Sequence, residues 1–258
     1  MKKLRLVFTC LVSFFSFALT LAGSAQAGEL HLFAGAGLRQ PVDRLVGSFQ
    51  AETGHKVLVD FGGGGQLLTR IKGSGKGDLF MPGAFFYIEK LDKEGRVLSW
   101  REVVAHTPVI GVNRKAADRI KSFDDLAKPG VRLAMGDPKA MAFGRTAMEV
   151  LEKSGKKDAI IKNVTVYGAT VKQLALYVSQ GSVDASIIGR SDAFQNKERI
   201  AIVPIPEALS QEERIAIAVL NSTAQQDLAV RLRDFMSSER AVKVFEEFGF
   251  LRPGKESR

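Results

Sequence analysis

Cysteine is nearly absent from this chain: its 258 residues include one, Cys10. That excludes a disulfide scaffold and a cysteine-held metal centre. Histidine is scarce as well, and His31, His55 and His106 do not share metal-ligand spacing. Beyond the N-terminus there is no long apolar run, which excludes a polytopic membrane protein. No Gly-x-Ser-x-Gly nucleophile elbow occurs. Gly75-Lys76 fails as a P-loop, because Gly77 follows the lysine and Arg70 stands where the first glycine belongs. Gly35-x-Gly37 opens a dinucleotide fingerprint, but Gln40 takes the place of its third glycine. Basic residues do not interleave with aromatics, so no nucleic-acid partner is expected. With no catalytic set, no cofactor and no metal indicated, the chain does not read as an enzyme.

What remains is a globular composition: 45% hydrophobic residues, 25% charged, and a net charge of +9. The length suits one large domain or two small ones. At the N-terminus Lys2, Lys3 and Arg5 precede the uncharged stretch 6–22, and Ala25-Gln26-Ala27 follows. A basic start, an apolar stretch and a small-x-small end form a secretory signal peptide over residues 1–27, cleaved after Ala27. The mature chain would hold 231 residues, a net charge of +6 and no thiol. The bacterial periplasm is the expected compartment.

Two runs of alternating strands and helices follow. Residues 30–34 and 56–61 read as strands and 38–52 as a helix, with Leu38, Val42, Leu45, Val46 and Phe49 on one face. Residues 62–65 read as a four-glycine loop before a short helix over 66–71. A strand is expected over 78–81 and a helix over 85–93. The second run starts near Pro108 with strands over 109–112, 131–135, 164–167 and 185–188. Its helices fall over 121–128, 143–154 and 171–180. A last strand over 215–220 precedes helices over 224–237 and 239–248. The class is α/β, with two similar halves and no long linker between them.

Four strand-to-helix turns stand out: 35–38, 62–66, 142–145 and 168–171. Each places N–H groups at a helix start, where the helix dipole favours an anion. The glycines among Ala36, Gly37, Gly63, Gly64, Gly65, Phe143 and Gly144 let a backbone approach a ligand closely. Arg145 and Arg190 stand beside such turns and could clasp an anion with two hydrogen bonds.

The stretches LHLFAGAGL (30–38), DFGGGGQLLTRI (60–71), GDLFMPG (77–83), LAMGDPKAMAFGRTAMEVL (133–151), ATVKQLALYV (169–178), IIGRSDA (187–193) and VFEEFGF (244–250) carry a resemblance. In order and content they resemble the periplasmic molybdate-binding proteins of bacterial ABC importers, within the type II periplasmic binding-protein fold. That resemblance implies two lobes around a ligand cleft, each a mixed, mostly parallel sheet flanked by helices. Residues 28–106 and 214–258 would form the first lobe and 107–213 the second, joined near 105–107 and 213–214. It implies a monomeric carrier without catalysis, taking a small anion to a membrane permease. In the family, backbone amides bind the anion at positions that fall here on Phe143 and Val171. Serine hydroxyls fall on Gly37 and Gly64, and a tyrosine hydroxyl on Gly189, so all three hydroxyls are absent here. The expected pocket is wider, and suits a phosphorylated or carboxylated molecule that reaches Arg145 or Arg190. The alternatives are a strict molybdate or tungstate carrier, a sensor or adhesin module, and an envelope enzyme acting on phosphate esters.

Overall fold

A computed structural model describes residues 27–139, 141–210 and 212–253. The signal-peptide reading rests on residues 1–27 and so lies almost wholly outside the described part. In chain order the elements are β1 (Glu29–Gly35), α1 (Arg39–Thr53), β2 (Lys56–Gly62), α2 (Gly64–Ser74), β3 (Leu79–Met81), α3 (Phe86–Asp92), β4 (Val97–His106) and β5 (Pro108–Asn113). Then come β6 (Leu133–Gly136), α4 (Ala142–Ser154), α5 (Lys157–Ile161), β7 (Val164–Gly168), α6 (Val171–Gln180), β8 (Ala185–Gly189), α7 (Arg190–Gln195) and β9 (Ile200–Pro204). The described chain closes with β10 (Glu213–Leu220), α8 (Gln226–Met236) and α9 (Glu239–Glu247).

The strands form two five-stranded sheets, ordered β2-β1-β3-β10-β4 and β7-β6-β8-β5-β9. Each sheet is mixed. β1 runs parallel to β2 and β3, and β6 to β7 and β8, while β10 and β5 run antiparallel to their neighbours. In β1 the side chains alternate between faces. Leu30, Leu32 and Ala34 pack under α1, α8 and α9 with Phe49, Leu232 and Phe245, while Phe33 turns to the other face with Leu67 of α2 and Ile88 of α3. Helices cover both faces of this sheet, and the second is built likewise, with Leu133 and Val150 on one face and Leu174 and Ile188 on the other. The expected two-lobed α/β architecture is therefore present.

The apolar spacing of α1 buries Val42, Leu45, Val46 and Phe49 together, three and four residues apart as a helix face requires. Gly54 ends that helix at φ 71, a left-handed conformation that a side chain would strain.

Two local expectations change, and β4 falls where no element was expected. The four glycines are not one loop: Gly62 ends β2, Gly63 caps α2, and Gly64 and Gly65 form its first turn. The helix expected over 121–128 is a short 3-10 turn, Phe123–Ala127, because the Asp125 carboxylate accepts the backbone N–H groups of Lys121 and Ser122 at 2.8 and 2.9 Å. β4, a ten-residue strand, escapes the alternation rule. It is an edge strand with Arg101 half-exposed or more and Trp100 40% exposed, so its apolar period is broken.

The chain passes between the sheets at Thr107, which separates β4 from β5, and again between the end of β9 and the start of β10. Glu213 and His106 are paired in the first sheet, so the second passage ends before the position expected for it. A further link joins the lobes, since Gln195 Nε2 donates to Phe248 O at 3.3 Å.

Candidate functional site

Parallel strands that share a direction send their following turns to one end of a sheet. The two sheets point those ends at each other, and a cavity of about 220 Å³ lies between them. From the first lobe come the turns at Gly35–Leu38 and Gly62–Gln66, with Tyr87 of α3. From the second come Phe143 and Thr146 of α4, then Thr170 and Val171 of α6, with Ser191 and Asp192 of α7. His106, Glu213 and Phe250 close the cavity at the passage between lobes.

The structure thus gathers Ala36, Gly37, Gly63, Gly64, Gly65, Phe143 and Val171 around one space. The first N–H groups of α2, α4 and α6 have no acceptor within their own helices. Local side chains trim the edges of this array. Gln66 Oε1 accepts from Gly63 N at 3.3 Å, Gln173 Oε1 from Ala169 N at 2.8 Å, and Thr170 Oγ1 from Gln173 N at 3.2 Å. α4 has no side-chain cap. Among the described residues the cavity wall includes no lysine and no arginine, so helix-start amides are its principal anion-attracting groups.

Gly144, Arg145, Gly189 and Arg190 are not in that wall. Gly144 packs where a Cβ would lie 2.6 Å from the carbonyl oxygens of both Gly136 and Asp137. The Arg145 guanidinium lies 5.5 Å from the centre of the Phe86 ring, across the mouth between α4 and α3. Such a contact is cation–π attraction. Arg190 donates its backbone N–H to Thr107 O at 2.9 Å, and its Nε is buried without a partner among the described residues.

The three absent hydroxyls do not leave three empty places. A Cβ on Gly64 would run into the Tyr87 ring, with Cδ2 at 2.6 Å. A Cβ on Gly189 would overlap Cε1 and Nε2 of His106 and stand 3.1 Å from Asp192 Oδ2. Only at Gly37 is there room, with Val171 Cγ2 at 3.6 Å as the one near atom. The expectation of a pocket widened at all three positions is corrected: large side chains from elsewhere in the chain fill two of them.

Sequence reasoning passed over Tyr87, Ser191, Asp192 and Glu213 as site residues, had Thr170 only as part of the turn 168–171, and took His106 only as a stray histidine. Thr170 and Gln173 have the spacing of a capping box, a signal that could have singled out Thr170. Nothing local marks Tyr87 or Glu213, which reach the cavity through the fold.

Two carboxylates give the wall an acidic side. Asp192 is 1% exposed, and Lys172 Nζ lies 3.0 Å from its Oδ1. Glu213 Oε1 accepts from Phe85 N at 3.0 Å. Burial pushes the Glu213 carboxyl above its ordinary range, against the pull of the Phe85 amide and Arg214. Among the described residues no group of three or more acids, histidines or cysteines could hold a metal.

His106 is buried between Phe143 and Phe250, with ring centroids 5.4 and 5.6 Å away. Burial holds its imidazole below the ordinary range; the Asp192 charge opposes this and Lys172 adds to it. The unfolded chain therefore binds a proton here before the folded one does. Stability from this site is complete above about pH 6.5 and is lost as pH falls below it, by up to about 1.4 kcal/mol per pH unit. Thermal unfolding should show a melting temperature that falls from about pH 7.5 to about pH 5.5 more steeply than in His106→Gln.

A model of the family described as bacterial extracellular solute-binding protein matches residues 30–251. A binding protein of Haemophilus influenzae is 39% identical over 251 residues, covering 97% of this chain and 99% of its own. An ABC transporter substrate-binding lipoprotein of Bacillus subtilis is 27% identical over 230 residues, covering 88% of each. The solved periplasmic molybdate-binding protein of Azotobacter vinelandii superposes with a TM-score of 0.76 at 21% identity, covering 87% of this chain and all of its own.

Proposed function

We propose that this chain, which belongs to the bacterial extracellular solute-binding proteins, works in the periplasm and holds a small anion between its lobes for the permease of an ABC importer. One observation carries the reading: the starts of α2, α4 and α6 converge on one interlobe cavity whose wall, among the described residues, holds no lysine or arginine. Three helix N-termini supply positive potential and directed N–H donors without a counter-cation. The names of the relatives, one for ABC transport and one for molybdate, support both the task and the class of cargo. As a carrier the protein would release its cargo unchanged.

The cavity also supports a cargo larger than a bare tetrahedral oxyanion. Beside the helix starts its wall carries the polar side chains Thr170, Ser191 and Glu213, which a bare oxyanion would leave unused and a larger cargo could reach. Calorimetric titration of the mature protein with molybdate, tungstate, sulfate, phosphate and small organic phosphates and carboxylates tests this reading. Organic anions should bind more tightly than molybdate. Nanomolar molybdate with silence from the organic anions would restore the strict oxyanion carrier.

Gly37 offers a sharper check, because a serine fits there without displacing anything. Gly37→Ser should fold as the parent does and tighten molybdate or sulfate by roughly 3- to 10-fold, the worth of one added hydrogen bond of about 1 kcal/mol. Unchanged oxyanion affinity would place Gly37 away from the anion.

A further inference from the structure

An anion site needs donors, yet two of the side chains facing this cavity can only accept when ionised. Asp192 and Glu213 both stand in its wall. Asp192 has Lys172 as counter-charge at 3.0 Å. Glu213 uses Oε1 for the Phe85 amide, and its Oε2 carries no hydrogen bond among the described residues. His106, 8% exposed, leaves Nδ1 without a hydrogen-bond partner among the described residues. Lys172, the partner of Asp192, stands in the first turn of α6, and Phe143 at the start of α4 packs on His106 with ring centroids 5.4 Å apart. The same wall therefore holds acceptors beside the helix-start donors.

A fully deprotonated oxyanion has acceptors on every side. Seated here it would satisfy the helix starts but face the Glu213 carboxylate with another negative group, which costs affinity. A ligand that carries hydroxyl donors as well as an anionic group would satisfy both kinds of group. Building on the anion-carrier reading, we infer that the natural cargo is a small hydroxylated organic anion, its anionic group on the helix starts and its hydroxyls on the Glu213 and Asp192 carboxylates. Specificity would then lie in the acceptors, since a site with unpaired buried acceptors rejects an analogue that lacks the donors.

The test is calorimetric titration of the mature protein with three probes: glycerol 3-phosphate, n-propyl phosphate and inorganic phosphate. The first two match in length and differ in the hydroxyls. Glycerol 3-phosphate should bind about tenfold or more tightly than n-propyl phosphate, the worth of a hydrogen bond to a charged acceptor. Glu213→Gln should narrow that preference several-fold and tighten inorganic phosphate, because the negative charge is gone. Asp192→Asn, probed the same way, covers the case in which Glu213→Gln fails to fold, with circular dichroism checking both variants. Equal binding of the two esters, or a preference untouched in a folded Glu213→Gln or Asp192→Asn variant, would overturn the hydroxyl inference and leave the anion carrier standing. Silence from all three probes while molybdate, sulfate or a carboxylate binds would likewise overturn the hydroxyl inference and leave the anion carrier standing; silence from every anion would overturn both.

Discussion

Gly144→Ala should lower the melting temperature by up to about 8 °C and weaken ligand binding, although residue 144 does not touch the cavity. The added methyl would stand 2.6 Å from the carbonyl oxygens of Gly136 and Asp137 and 2.7 Å from the Asp137 carbonyl carbon. Those atoms are backbone at the end of β6, so they cannot swing aside as a side-chain tip can. Overpacking of this kind costs about 1–3 kcal/mol and occasionally more. Alanine returns up to about 1 kcal/mol over glycine in a helix, so the clash outweighs the gain. In a chain of this size each kcal/mol shifts the melting temperature by about 2–4 °C. Relief requires the start of α4 to lift away from the sheet. Phe143, next in the chain, lines the cavity, and its amide moves with the helix start. Differential scanning calorimetry and ligand titration of one purified variant would read both effects. Wild-type affinity together with wild-type stability would show that the close approach of α4 to β6 is dispensable.

The second large effect is expected at Gly189, and it should be reversible. A Cβ there overlaps the His106 imidazole and comes within 3.1 Å of Asp192 Oδ2. His106 has little room to retreat, packed between Phe143 and Phe250 at 5.4 and 5.6 Å. Gly189→Ala should therefore cost about 1–3 kcal/mol, or about 2–10 °C, and push the imidazole into the cavity or against the aromatic pair. Truncating the obstacle should undo this. In His106→Ala the second change, Gly189→Ala, should be nearly neutral, so the double-mutant cycle shows a coupling energy of about 1–3 kcal/mol. Additive costs would mean that the two residues do not compete for the same volume. The same geometry explains why a tyrosine at position 189 is incompatible with this chain: its place is taken by His106.

Much of the scaffold is legible locally. The helix with Val42, Leu45, Val46 and Phe49 on one face, and the helix Val171–Gln180 closed by Gly181, follow from spacing and a terminating glycine. Leu30, Leu32 and Phe33 read as a strand buried on both faces, and they are one. β4 was not legible, because Arg101 and Glu102 interrupt its apolar pattern and an edge strand tolerates such residues. Of the candidate site residues, those at the turns of α2, α4 and α6 converge as their positions at strand ends imply. Arg145 does not join them. Its charge suggested a ligand contact, whereas its side chain reaches the Phe86 ring instead.

By itself the sequence determined the alternation of strands and helices and the glycine-rich turns where β1 and β2 end. Those features depend on residues two to four apart, or on composition, and local chain geometry decides them. Tertiary structure alone decided what the glycines mean. A missing side chain does not say whether its volume stays empty or which distant residue fills it. Tyr87 fills it at Gly64 and His106 at Gly189, while Gly37 stays open. It also decided that Glu213 and Asp192 share one wall with the helix starts, because packing two sheets end to end brings together residues that no sequence period connects.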